Sequence, residues 1–150
     1  MDRTRLTRRN FVKNSAAAAA AIAATPAVLA ASTSAAGPND RIRIGFIGLG
    51  GRCQAHFDSA FRLHNEGSPI EIASLCDVFN RYRDEAAHKV REATKATPKI
   101  VSDYREMLDD PTIDAVCIST PDHWHAKQTI DALRAGKHVY CEKPMTHTLD

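Results

Sequence analysis

A chain of 150 residues suffices for one domain of ordinary size, and 43% hydrophobic with 25% charged residues is the balance of a soluble globular protein. Its formal net charge of +2 is unevenly placed: residues 1–36 hold five basic groups and one acid, leaving 15 basic and 17 acidic residues for the rest. A slightly acidic body with scattered lysines and arginines excludes an electrostatic footprint for nucleic acid, and no apolar run reaches the roughly 20 residues of a stable membrane span.

In chain order, the first element is a leader, TRRNFVKNSAAAAAAIAATPAVLAASTSAAGP. A charged start, a short Ala-rich apolar run and small residues after it follow the three-part plan of an export signal. Thr7-Arg8-Arg9-Asn10-Phe11-Val12-Lys13 resembles the twin-arginine signal, which addresses a route that exports folded proteins. A signal peptide and linker over residues 1–36, recognition by the twin-arginine export machinery and a periplasmic location are therefore expected. The competing reading is a low-complexity Ala/Ser/Thr tail, and small residues allow cleavage after either Ala30 or Ala36.

Beyond Gly37-Pro38-Asn39-Asp40, apolar β-rich runs alternate with helical patterns. Strands are expected at 42–48 (IRIGFIG), 70–76 (IEIASLC), 99–101 (KIV), 114–120 (DAVCIST) and 138–141 (HVYC). The first helix places Cys53, Phe57, Ala60, Phe61 and His64 at helical spacing. A second runs from about Tyr82 to Lys95 with Ala86, Val90 and Ala93 on one face. Asp103 begins a short third with Glu106 at capping-box spacing. The last places Ala126, Ile130 and Leu133 on its buried face and ends at Gly136, where a C′ glycine belongs. Strands alternating with crossover helices give an α/β fold, a doubly wound parallel sheet of Rossmann type. Its ligands belong at the carboxyl ends of the strands, just after Ile47, Cys76, Ser119 and Cys141.

Cys53, Cys76, Cys117 and Cys141 form no CxxC pair, so neither a zinc ribbon nor a redox motif is expected. His123 and His125 stand two apart, which suits neither one helical face nor a usual metal spacing, and no metal site is expected. Three of the cysteines end apolar strands as small hydrophobes, and folding before export implies free thiols.

The chemistry collects at the predicted strand ends. Gly48-Leu49-Gly50-Gly51-Arg52 supplies the first two glycines of G-x-G-x-x-G, with Cys53 in place of the third. The first allows a tight turn, the second lets backbone approach a pyrophosphate, and Arg52 can reach a phosphate. Asp77 follows the second strand, 27 positions past Gly50, where an acid accepts from ribose hydroxyls and repels a 2′-phosphate. That favours NAD over NADP, although Arg81 and Arg83 nearby leave NADP open, and an N-cap is the plainer role for Asp77. Thr120-Pro121-Asp122-His123-Trp124-His125 is by its residues only a polar loop at a strand end, with Trp124 as well suited to the core as to a ligand.

ISTPDHWHAKQTIDALRAGKHVYCEKPMT closely resembles the signature of the glucose–fructose oxidoreductase / inositol dehydrogenase / MocA-like (Gfo/Idh/MocA) family. The carriers are Thr120-Pro121-Asp122, His125, Ala135-Gly136-Lys137-His138 and Glu142-Lys143-Pro144, with the GLGGR loop and LCDV at 75–78 also matching. The resemblance spans residues 41–150 and implies an NAD(P)-binding Rossmann domain there, truncated before a substrate domain for a small-molecule sugar or polyol. It implies Lys143 as the catalytic group beside the nicotinamide, and Thr120, Pro121, Asp122, His123, His125 and Glu142 as contacts to the nicotinamide half. It further implies an oxidoreductase acting on a CH–OH group, a homo-oligomer at full length, and no turnover from these 150 residues alone. Two rival functions remain: an NAD-dependent glycoside hydrolase of the same ancestry, and a non-catalytic nucleotide-binding module.

Overall fold

A computed structural model describes residues 40–146. The leader expected over 1–36 and the last four residues lie outside the described residues. Five strands, β1 (Ile42–Ile47), β2 (Ile70–Cys76), β3 (Lys99–Val101), β4 (Ala115–Ile118) and β5 (His138–Cys141), form one sheet in the order β3-β2-β1-β4-β5. All neighbouring pairs are parallel. The helices are α1 (Cys53–Asn65), α2 (Asn80–Thr94), α3 (Tyr104–Leu108) and α4 (His125–Arg134), with a 3-10 turn at Asp122–Trp124.

Each central strand is apolar on both sides because helices cover both faces. Phe46, Leu75 and Cys117 point to one layer, where Cys53, Phe57 and Ala60 of α1 and Ala86, Ala87 and Val90 of α2 pack. Their sequence neighbours Ile47, Cys76, Val116 and Ile118 point to the other, against Tyr104, Met107 and Leu108 of α3 and Ala132 of α4. Fully burying one such side chain is worth about 1.5–3 kcal/mol. The chain therefore forms the doubly wound parallel sheet expected from its alternating pattern.

Helix ends follow the punctuation in the sequence. Gly67 and Gly136 take left-handed φ values of 81° and 74°. Around each, two backbone bonds close a Schellman motif, Ser68 N to Leu63 O with Gly67 N to His64 O, and Lys137 N to Ala132 O with Gly136 N to Leu133 O. Asp103 caps α3, accepting the Arg105 N–H at 2.9 Å. Lys95 stops α2 at φ 61° with no glycine present.

Two helical faces differ from the expected ones. In α2, Ala93 is exposed and Ala87 takes its place in the core beside Ala86 and Val90. In α4, Ile130 and Leu133 are 47% and 59% exposed, whereas His125, Gln128 and Ala132 are buried. Counting apolar residues selected the wrong stripe because the inward face of α4 carries two hydrogen-bonding side chains. β1 and β4 are also shorter than expected, so Gly48, Ser119 and Thr120 leave the sheet as loop. Among the described residues no helix is long and apolar enough to cross a membrane.

Candidate functional site

Register aligns the strand ends. Ile47 lies beside Cys76 and Ile118, Cys76 beside Val101, and Ile118 beside Cys141, so all five strands finish in one row. The residues that follow, Gly48, Asp77, Ser102, Ser119 and Glu142, form the next row along the same edge. Backbone bonds carry the pairing one step past the strands, from Gly48 N to Cys76 O, Ser119 N to Ile47 O and Glu142 N to Ile118 O. β1 runs on to β2 and β3 on one side while β4 and β5 lie on the other, so the order reverses between β1 and β4. A cleft of about 680 Å³ opens along this edge.

Gly48, Gly50, Gly51 and Arg52 form one wall. Gly48 has φ +84°, and a Cβ there would meet Thr120 N at 2.6 Å and Ser119 C at 2.8 Å, so glycine lets the β1 and β4 loops pass backbone to backbone. A Cβ on Gly50 would meet only Tyr82 Cε2 at 3.5 Å, and on Gly51 nothing within 4 Å. The start of α1 beside them has no side-chain cap and no acid in its first turn. Cys53, standing where the motif has its third glycine, is fully buried between α1 and β1. A thiol is thus small enough for that contact. Burial pushes its titration up, and likewise lifts Cys76 to about 12 and Cys117 to about 11, so these thiols are inert at neutral pH. All four cysteines are free.

Asp77 forms the floor next to the glycines. Its Oδ2 accepts the Leu49 N–H at 2.7 Å and its Oδ1 the Phe79 N–H at 2.9 Å. A carboxylate has about four acceptor positions, so two remain for a ligand. Arg81 pairs with Glu85 at 2.7 Å, and Arg83 donates to the Asp77 carbonyl and to Asn80. Arg81 thus makes an exposed pair within α2, while Arg83 is held to the turn before it.

Thr120 and Pro121 supply the opposite wall. Thr120 Oγ1 donates to the buried Gln128 Oε1 at 2.7 Å. Trp124 is 42% exposed and lines the cleft, which settles its role against the core. Of the other predicted site residues, Leu49 and His125 are buried, and Asp122 and His123 lie on the 3-10 turn. None of those four lines the cleft, and neither do Glu142 or Lys143.

Glu142 is 6% exposed. Its Oε1 accepts Arg52 Nε at 2.8 Å, and Oε2 accepts the Lys143 N–H at 3.2 Å. His56 Nε2 lies 2.9 Å from the same Oε1, close enough for an ion pair but off-line for a hydrogen bond. The Arg52 hydrogen bond above all, against the opposing effect of burial, holds this carboxyl below the usual carboxylate range. Lys143 itself is exposed, and the Lys143–Pro144 peptide is cis.

Sequence reasoning missed the β3 end, where Ser102, Asp103 and Arg105 join the cleft, and the aromatic Phe79 just before α2 with Tyr82 in it. The row of strand ends would have found the first group. His56 follows the N-cap Arg52 by four residues, and no local signal pointed either of them to Glu142. Among the described residues no cluster of three or more His, Cys, Asp or Glu could hold a metal ion.

An oxidoreductase family with an NAD-binding Rossmann fold, Gfo/Idh/MocA, matches residues 42–150. A glycosyl hydrolase family 109 protein of Shewanella baltica is 32% identical over 95% of this chain and 34% of its own length. An alpha-N-acetylgalactosaminidase of Shewanella oneidensis is 34% identical over 73% of this chain and 24% of its own. The WlbA dehydrogenase of Bordetella pertussis, solved with NADH and UDP-GlcNAcA, superposes with a TM-score of 0.57 at 31% identity, over 71% of this chain and 30% of that one. Apo scyllo-inositol dehydrogenase of Lactobacillus casei gives 0.61 at 29% identity, over 72% and 30%. The chain spans about a third of the length of the curated relatives it matches. With its switch-point cleft, glycine loop and strand-end acid, the chain belongs to the Gfo/Idh/MocA oxidoreductase family and forms its NAD-binding Rossmann domain.

Proposed function

We propose that the chain is the nucleotide-binding part of an exported oxidoreductase that exchanges hydride between a nicotinamide and a sugar, inositol or polyol hydroxyl. The observation that carries this reading is the cleft across the β1–β4 reversal, walled by the glycine loop, Asp77 and Thr120-Pro121. NAD fits the residues present: the α1 start has no competing side-chain cap, and Asp77 keeps acceptor positions free. Bound NAD supplies the ring that takes up hydride.

The chain's own groups bind and orient. Backbone at Gly50 and Gly51 admits the pyrophosphate, while Asp77 accepts from the ribose hydroxyls and disfavours a 2′-phosphate. Lys143 hydrogen-bonds the reacting hydroxyl, and its ammonium stabilises the alkoxide that develops there. Asp122, His123 and the Thr120 loop belong to the nicotinamide end of the same proposal. So do the twin-arginine route, the periplasmic location and assembly as a homo-oligomer, which the leader and the family resemblance support. The chain spans about a third of the length of its curated relatives, and these 150 residues are expected to bind nucleotide without turnover.

A second reading has a specific observation behind it. The glycosyl hydrolase family 109 relative aligns over 95% of the chain. A glycosidase of this kind oxidises the sugar, eliminates the aglycone and reduces the sugar again, leaving no net NADH. On a chain of full family length, polyols and aryl glycosides separate the two. NADH accumulating from a polyol supports the dehydrogenase; aglycone released with no net NADH supports the hydrolase and overturns the first reading.

A further inference from the structure

Lys143 is exposed, yet the residues on both sides of it are anchored by buried polar groups. On one side, the Glu142 carboxylate takes Arg52 Nε at 2.8 Å with one oxygen and the Lys143 N–H at 3.2 Å with the other. Arg52 ends the glycine loop, and His56 of α1 stands 2.9 Å from the same carboxylate. The β5 exit is thereby tied to the phosphate end of the cleft. A carboxylate engaged by both a guanidinium and a backbone N–H is held in one rotamer by charge-assisted bonds.

On the other side stands His125, 2% exposed. Its Nδ1 is 2.7 Å from the Pro144 carbonyl oxygen, and its Nε2 is 2.8 Å from the Thr120 carbonyl oxygen. A carbonyl oxygen can only accept. The ring itself is buried, while the two contacts at its ends are partly buried. In either tautomer the protonated ring nitrogen donates to the carbonyl it faces, while the second carbonyl fixes the ring from its other side. The ring then bridges the β4 loop, whose Thr120 lines the cleft, and the residue after Lys143.

We propose that Glu142 and His125 are positioning residues, a two-sided clamp that sets Lys143 against the nicotinamide end of the cleft, and that neither touches the cofactor. This rests on the nucleotide reading above, and it replaces the expectation of direct nicotinamide contacts for these two residues. The clamp ties the phosphate end to the Lys143 end through Arg52–Glu142, and the Thr120 wall to Lys143 through His125. Lys143 can then be aimed without being buried itself.

Two measurements on the full chain test it. The first is imidazole nitrogen NMR, with His125 assigned through His125→Gln. A slowly exchanging ring N–H hydrogen-bonded to a backbone carbonyl is expected, and a ring whose protons all exchange at solvent rates overturns the clamp whether or not any nucleotide binds. The second follows the Lys143 ε-methylene resonance on adding NADH to wild type, Glu142→Gln and His125→Gln, each checked for a native CD spectrum. A shift in wild type that collapses in the variants at saturating NADH is expected. A shift retained in a folded variant, or none in wild type despite NADH binding, overturns it. If NADH does not bind wild type at all, the nucleotide reading fails, and the nitrogen spectrum still decides the His125 bridge. Should His125→Gln not fold, His125 is assigned by its through-space contacts to Thr120 and Pro144, and the wild-type spectrum then decides the bridge.

Discussion

Asp77 and Leu49 are 28 positions apart, and the Asp77 carboxylate accepts the Leu49 backbone N–H at 2.7 Å. The strand-end acid expected to read a ribose is thus also the brace that holds the glycine loop over the end of β2. Its second oxygen caps the turn at Phe79. The helix N-cap is Phe79, without a side-chain cap, so Asp77 braces the turn before α2 instead of capping it and keeps acceptor positions that a ribose could use.

Asp77→Ala removes both acceptors, leaving two backbone donors without partners. We expect a loss of about 2 kcal/mol in stability by urea denaturation. Asp77→Asn keeps an oxygen and sheds the charge, so discrimination against NADPH should weaken by about tenfold. Parallel NADH and NADPH titrations check this, and an unchanged preference would mean that Asp77 does not face the ribose.

The three loop glycines should behave differently. Gly48→Ala meets Thr120 and Ser119 backbone with φ already at +84°, and should cost at least about 2 kcal/mol. Gly51→Ala has open space and should stay within about 0.5 kcal/mol of wild type. Gly50→Ala makes only an ordinary contact with Tyr82, so it should fold normally yet bind NADH about tenfold more weakly. Melting curves beside titrations separate fold from function, and equal stability for Gly48→Ala and Gly51→Ala contradicts the loop geometry.

Acid should loosen the β5 end. Glu142 titrates below its ordinary range because Arg52 stabilises its charged form. A carboxyl lowered on folding contributes stability that is present above its unfolded pKa and lost as pH falls through the folded one. Asp103, Asp110 and Asp131 are lowered too, so total acid sensitivity is no test of one residue. The difference in melting temperature between wild type and Glu142→Gln should therefore shrink as pH falls below the usual carboxylate range. A difference that stays constant with pH would remove Glu142 from the list of contributors.

Most of the sheet was legible because burial on both faces makes its strands continuous apolar runs. Gly136 marked its helix end for the same kind of reason: only a left-handed residue closes that motif. The inner face of α4 was not legible. His125 and Gln128 go inward because Thr120 and Pro144 need partners there, and that demand arises from loops distant in sequence. The Arg52–Glu142 tie, spanning 90 positions, was hidden for the same reason. Local periodicity reports apolarity; it is blind to who completes a buried hydrogen bond.

Lys137 is another such case. Only 7% exposed, its ammonium donates to the Asp110 and Ile113 carbonyls at 2.7 and 2.9 Å, fastening the turn before β4. Lys137→Met keeps the aliphatic stem and strands both acceptors, so a loss of about 2–3 kcal/mol is expected with an unchanged denaturant slope. A loss under about 0.5 kcal/mol would show that water replaces the ammonium at little cost.

The central claim is that this chain holds a dinucleotide across the β1–β4 reversal. Fluorescence titration of the full chain with NADH addresses it most directly. The account predicts saturable binding that NAD competes away, weakened by Gly50→Ala in a chain of normal stability. A chain with a folded CD spectrum that shows no saturation at about millimolar NADH would contradict it.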